Sequence, residues 1–308
     1  MMPSIATPWP ALPYDQWAPT KKTLHMCLQM IGKLKLALAP PQPEWLHTCL
    51  YLDPRGFTTG AAPWMDGVVS AGVDVFSADL WIHSSDGGRV NIPVGPSRCV
   101  ADIWAEFNAA LAGLGISADL WEKPQEIADS TPFSANRHDC VLVPEHAQRF
   151  HQVACAVDRV FEEFRSEFFG RTSVQFWWGA FDFAVLLFNG RHAAAPDDRG
   201  YIMRYDLDAE HFNAGLWFGD DSTPEPSFYG YLVPRPDDCE NARIEPEHAG
   251  WVESMGEWML PYDAVRTCED PQTMLMSFLK SVYRVATELG GWDAEQYRYT
   301  HPSRPARG

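Results

Sequence analysis

Three short β-rich runs, GVDVF, DLWIHSS and RVNIPV, lie between Gly72 and Val94, separated by two residues (SA) and then three (DGG). Connections this short join antiparallel neighbours, because a parallel crossover needs a dozen residues or more. The Asp86-Gly87 pair adds the turn chemistry of a tight hairpin. The runs therefore form a meander, and the long helical segments on either side make the class α+β.

Four helices are expected around it. TKKTLHMCLQMIGKLKLALAPP, Thr20 to Pro41, reads as one helix stopped by a proline pair. SRCVADIWAEFNAALAGLG is a second, with Ser97 as N-cap and Gly113 or Gly115 as its stop. A third begins with Pro144 in its first turn, carries Phe150, Val153, Val157, Phe161, Phe164 and Phe168 on one face, and ends at Gly170. LPYDAVRT leads to the last, from Pro271 to Leu289. Further strands are expected in WLHTCLYL, where period two sets Leu46, Thr48, Leu50 and Leu52 against His47, Cys49 and Tyr51, and in FTTG after the DPRG turn. ISADLWE, HFNAGLWFG and SFYGYLVP read as strands too, and SVQFWWGAFDFAVLLFNGR as two strands or one bent around Gly179. HAAAPDDRG is an acidic loop, 234–256 mostly loop, and the tail from Thr300 frayed.

Helix, meander and helix thus occur once in 14–122 and again in 144–292, with a polar, proline-bearing connector at 123–143 and a tail at 293–308. Antiparallel sheets packed against helices are expected, either as two similar halves or as a single compact domain; no residue-level repeat accompanies the pattern.

Composition narrows the partners. With 46% apolar and 21% charged residues, the 308-residue chain can bury a core without staples. A net charge of −17 argues against nucleic acid, which needs clustered Lys and Arg, and against anionic membrane surfaces. It does not exclude a small anionic ligand, which feels only the local field of one pocket. No segment reaches the roughly 20 apolar residues that span a bilayer. The N-terminal stretch has neither the basic nor the apolar region of a secretory signal. Seven cysteines without a Cys-x-x-Cys pair exclude a zinc ribbon or thioredoxin-type site and fit a reduced setting. A soluble, cytoplasmic protein is the expectation.

The first helix carries the most pointed candidates. At 100° per residue, Gln29 lies about 40° from His25, Lys22 about 60° and Lys33 about 80°, opposite Met26, Cys27, Met30, Ile31, Leu34 and Leu38. This line is either a solvated face or one wall of a site. Gly32 and Leu36, within about 20° of His25, are odd choices for a wet surface. On the third helix His151, Cys155, Asp158, Glu162 and Arg165 edge the aromatic face and read as a salt-bridge network, Arg165 being the member most apt to be drawn inward. Asp182, a carboxylate amid aromatics, is a turn residue, an arginine partner or an acid/base of raised pKa. The ten histidines show no metal-binding spacing, and no Gly-rich phosphate loop or Gly-x-Ser-x-Gly elbow is present. Metal, cofactor and oligomeric state stay open.

TLHMCLQMIGKLKLALAPP, WLHTCLYLDPRGFTTG, FRSEFFGRTSVQFWWGAFDFAVLLFNGR, PSFYGYLVPRP and LPYDAVRT resemble, in order, the signature segments of a bacterial family catalogued as domain of unknown function 5996; the likeness runs from about Trp17 to Trp292. It implies that His25, Gln29, Lys33, His47, Arg55, Thr59, Arg165 and Asp182 recur as polar positions, and that they share one pocket. It also implies a family histidine where Gln175 stands here, and another where Ala209 stands, so this member departs from any chemistry those histidines perform. The expectation is an enzyme acting on a small anionic or aromatic metabolite. His25 and Asp182 are the acid/base candidates. Lys33, Arg55 and Arg165 supply charge, Gln29, Thr59, His47 and Gln175 polar contacts, and Trp177 and Trp178 a wall. The alternatives are a non-catalytic ligand-binding or sensor module and a protein-interaction scaffold.

Overall fold

The computed structural model describes residues 8–194 and 200–300. Part of the expected acidic loop, 195–199, and the tail beyond residue 300 lie outside the described residues. Among the described residues are six α-helices and two antiparallel sheets of six strands, so the class is α+β. No helix is long and apolar enough to cross a membrane. The chain divides into two compact units that are discontinuous in sequence: Met1–Ala156 with Gln175–Phe183 and Trp217–Pro226, and Val157–Val174 with Ala184–Leu216 and Ser227–Gly308.

In the first unit α1 spans Tyr14–Leu38, starting earlier than the expected Thr20. Pro19 lies inside it, but so near the N-terminus it forfeits a single backbone bond, and the helix runs through it. From Thr20 to Lys35 only Lys22 is exposed and only Met26 half-buried, so this helix is enclosed all round. It packs against β3 (Ala62–Trp64), β4 (Gly67–Asp74) and α2 (Val100–Gly113). The meander forms as expected: β5 (Asp79–Ser84) pairs with β4 and with β6 (Arg89–Pro93). With β1 (Tyr51–Asp53) and β2 (Gly56–Thr58), the strand order is β1-β2-β4-β5-β6, β3 pairing with β4.

One expected strand is shortened and another is absent. WLHTCLYL begins as a 3-10 turn at Pro43–Trp45, with Glu44 and Trp45 at φ of 53° and 54°. Left-handed backbone cannot run as a pleat, so pairing starts only at Leu50, which bridges Phe176. ISADLWE is irregular: Gly115 (φ 72°) turns the chain out of α2, and no strand pairs with the segment among the described residues.

β7 (Gln175–Trp177) and the start of β8 (Asp182–His192) form a hairpin around Gly179. Its turn puts Phe181 at φ 62°, a conformation that costs a non-glycine residue roughly 1–2 kcal/mol. Packing holds it there. The Phe181 ring lies 5.0 Å from Phe176, 5.3 Å from Phe150 and 4.9 Å from His25, within an aromatic core that includes Trp17, Phe57 and Phe218.

In the second unit, α3 (Pro144–Arg165) ends, and β8, β9 (Ala209–Trp217), β10 (Ser227–Val233), β12 (Glu257–Pro261) and β11 (Gly250–Val252) lie side by side in that order. The strand β11 falls within a region expected to be loop. Two short helices, α4 (Tyr201–Asp206) and α5 (Tyr262–Thr267), precede α6 (Pro271–Leu289), which is capped by Asp270 accepting from the Thr273 amide at 3.1 Å. α6 rests on β10 so closely that a Cβ on Gly230 would meet Val282 at 2.9 Å. Tyr283 packs on Phe168 (4.6 Å) and Phe212 (5.3 Å) to form the core there.

Candidate functional site

Helical spacing put His25, Gln29 and Lys33 in one line, and the enclosure of α1 buries all three. A buried polar group must find partners or carry a cost, so their bonds define what the line does. His25 Nε2 lies 2.8 Å from the Trp178 carbonyl and 3.0 Å from the Gly179 carbonyl. Two acceptors require that nitrogen to carry the proton, which leaves Nδ1 as the lone-pair nitrogen. Burial, reinforced by the nearby Lys21 charge, pushes the imidazole down to about 3, so His25 is neutral.

Gln29 reaches a different segment. Its Oε1 accepts from the Gln125 amide at 2.9 Å and its Nε2 donates to the Gln125 carbonyl at 2.7 Å. The side-chain amide thus pairs with a backbone as a strand neighbour would. Its 3.3 Å approach to His25 Nε2 brings two N–H groups together and adds no bond, since the protonated His25 nitrogen has no lone pair to accept.

The clamp presents the next residue, Glu126, in a left-handed conformation (φ 57°). Its carboxylate lies against Gly179, where a Cβ would sit 1.7 Å from Oε2, so this position requires glycine or a displaced Glu126. Burial raises the Glu126 pKa, and the carboxylate has no ionic partner among the described residues.

Lys33 Nζ donates to the Gln125 side-chain carbonyl at 3.1 Å and lies 4.8 Å and 5.3 Å from the rings of Trp121 and Trp178. Burial brings its amine down to about 8. Gly32 explains itself here. A Cβ would meet the Trp178 indole at 2.4 Å, so the ring lies directly on the helix backbone, its Nε1 donating to the Thr48 carbonyl at 3.0 Å. Two further buried lysines on α1 repeat the pattern: Lys21 donates to the Gly219 carbonyl at 2.5 Å under Phe181, and Lys35 to the Cys49 carbonyl beside Tyr51. Each is lowered to about 8 by burial, and none of the three amines is within ion-pair reach of a carboxylate among the described residues.

The remaining candidates take separate places. Arg55 pairs with Asp74 at the β2–β4 edge, more than half exposed. Thr59 is buried, its hydroxyl donating to the Gly60 carbonyl at 2.7 Å and accepting from the Ala71 amide at 3.0 Å. His47 Nδ1 accepts from the Gln42 amide at 3.1 Å, and its ring stacks on Trp45. Trp177 is half-buried in β7, and Asp182 is buried at the first position of β8. Gln175 is buried with its Nε2 lacking a partner among the described residues. In the second unit Arg165 donates to the Thr172 carbonyl at 2.9 Å and pairs with Glu162 at 2.7 Å. Among the described residues no group of three His, Cys, Asp or Glu is placed to hold a metal.

Of the sequence candidates, then, His25, Gln29, Lys33 and Trp178 come together. Trp121, Gln125 and Glu126 join them from a stretch read as strand end and connector, with no periodic signal to mark them.

The chain belongs to a family of unknown function (DUF5996), whose model matches residues 9–299. No curated protein and no solved structure matches it.

Proposed function

We propose that this member of the family binds and acts on a small metabolite, anionic or aromatic, at the α1 face of its first unit. The observation that carries the reading is a carboxylate, Glu126, desolvated against Gly179 on the segment that the Gln29 clamp holds, beside a buried amine, Lys33, on α1 that bonds the same segment through Gln125. Burial drives each toward neutrality, and neither has an ionic partner among the described residues. Groups tuned toward neutral pH are suited to proton transfer. In this reading Glu126 is the acid/base group, Lys33 receives a carboxylate or phosphate, and Trp121 and Trp178 flank a flat ring. His25 fixes the hairpin that carries Trp178 and Gly179.

A metabolite panel tested by thermal shift, with native mass spectrometry of the purified protein, identifies the ligand. Folded Lys33→Met is expected to bind it at least ten-fold more weakly; Glu126→Gln is expected to bind it but not to turn it over. If both variants bind and react like the parent, the reading fails.

A second reading, a non-catalytic binding or sensor module, draws support from His25, whose Nε2 is already committed to two carbonyls. Chemical change of the bound compound separates the two.

A further inference from the structure

The second unit holds a cluster of opposite character. Tyr231 on β10 accepts from Asn213 Nδ2 on β9 at 2.8 Å, leaving Asn213 Oδ1 without a partner among the described residues. Asn213 is only 7% exposed, so that oxygen is an acceptor removed from water. The register of β10 with β12 runs Ser227 to Pro261 through Gly230 to Trp258 and ends there; one residue further on each strand, the alternation of faces turns Tyr231 and Glu257 to the side opposite Gly230 and Trp258. Asn213 bonds Tyr231 from β9, so the Glu257 carboxylate, Tyr231 and Asn213 lie on one side of three adjacent strands. Gly230 and Trp258 point to the other side, where Val282 of α6 packs.

Two tyrosines floor this patch. The Tyr229 and Tyr231 rings are 6.1 Å apart and inclined by 18°, and Tyr229 lies flat across β9 because Gly215 has no Cβ to obstruct its hydroxyl. His211, 6.2 Å from Tyr231, closes one end. Burial lowers His211 to about 4 and raises Glu257 to about 7, so no positive charge from His211 competes near neutral pH. Glu257 has no ionic or hydrogen-bonding partner among the described residues.

We propose that this face of the second sheet is a binding site for a small organic cation carrying N–H donors, a primary amine or a guanidine. Both unsatisfied groups, Asn213 Oδ1 and the Glu257 carboxylate, are acceptors, and tyrosine faces favour positive charge. The two lie on strands separated by β10, about 10 Å apart at the backbone, so a compact ligand over Tyr231 can engage both. The site is independent of the reading given for α1.

Calorimetric titration of the full chain at pH 8 with benzylamine, and with benzyl alcohol as the neutral isostere, tests it. Benzylamine is expected to bind at least ten-fold more tightly than the alcohol. Glu257→Gln and Asn213→Leu should each lose at least ten-fold in amine affinity, and Asn213→Asp should retain it. Circular dichroism establishes that each variant is folded. Equal affinity for amine and alcohol, unchanged affinity in folded Glu257→Gln, or no binding of benzylamine at millimolar concentration would overturn the proposal.

Discussion

The α1 line of the first unit and the sheet face of the second apply one physical rule with opposite signs. On α1, buried amines meet carbonyl oxygens and aromatic rings. On the sheet face, a carboxylate and an amide oxygen meet tyrosines. In both places burial disfavours the charged form, bringing Lys33 down to about 8 and Glu257 up to about 7. Where a fold leaves such groups unpaired it forgoes stability, so the two regions differ in which charge they are ready to receive.

The sharpest break of this comparison is steric. Gly32→Val drives a side chain into the Trp178 indole that Gly32 now underlies, and is expected to destabilise by about 3 kcal/mol in chemical denaturation. Gly179→Ala meets only the mobile end of Glu126 and should cost far less.

Charge comes next. Glu257→Gln is expected to stabilise the protein by on the order of 2 kcal/mol at pH 8. The folded pKa of about 7 lies above the ordinary 4.5, so the parent has its full stability below about 4.5 and loses part of it as pH rises to 7. The advantage of the variant must therefore vanish in melts near pH 4.

Lys33→Met should show the mirror image. It is expected to stabilise by about 1 kcal/mol at pH 7. Because the folded pKa of about 8 lies below the ordinary 10.5, this Lys33 penalty is full below 8 and disappears between 8 and 10.5, and the gap between variant and parent must close over that range. The gap for Glu257→Gln must open between about 4.5 and 7 and that for Lys33→Met must close between about 8 and 10.5; if both change in the same direction or over the same range, the contrast between the regions is wrong.

Arg55→Ala marks the floor. Arg55 is 57% exposed although its partner Asp74 is only 14% exposed, so a drop in melting temperature of a few degrees at most is expected, with ligand binding as in the parent.

Local signals carried much of this architecture. The meander and the phenylalanine face of α3 are written in spacings of two and of three to four residues, and the structure follows them, except that α3 ends at Arg165 rather than Gly170 and leaves the buried Phe168 beyond it. WLHTCLYL shows where spacing misleads: its alternation is genuine, but Glu44 and Trp45 adopt left-handed backbone that no period reveals. In the candidate site, the α1 residues were legible because Gly32 and Leu36 interrupt what would otherwise be a wet face. Glu126 was not, since its position depends on Gln29 gripping the chain 96 residues away. A contact of that span is set by tertiary packing, and the grip itself looks, in sequence, like any glutamine on a helix.

That grip has a kinetic corollary. The Gln125 amide proton belongs to a segment without regular structure, yet it is held by a side chain rooted in α1. Its exchange with deuterated solvent should be slow, at a rate set by how often the segment lifts from the helix. Against the amides of α1 itself, which report the loss of the helix, that single proton would time the opening of the segment that carries Glu126.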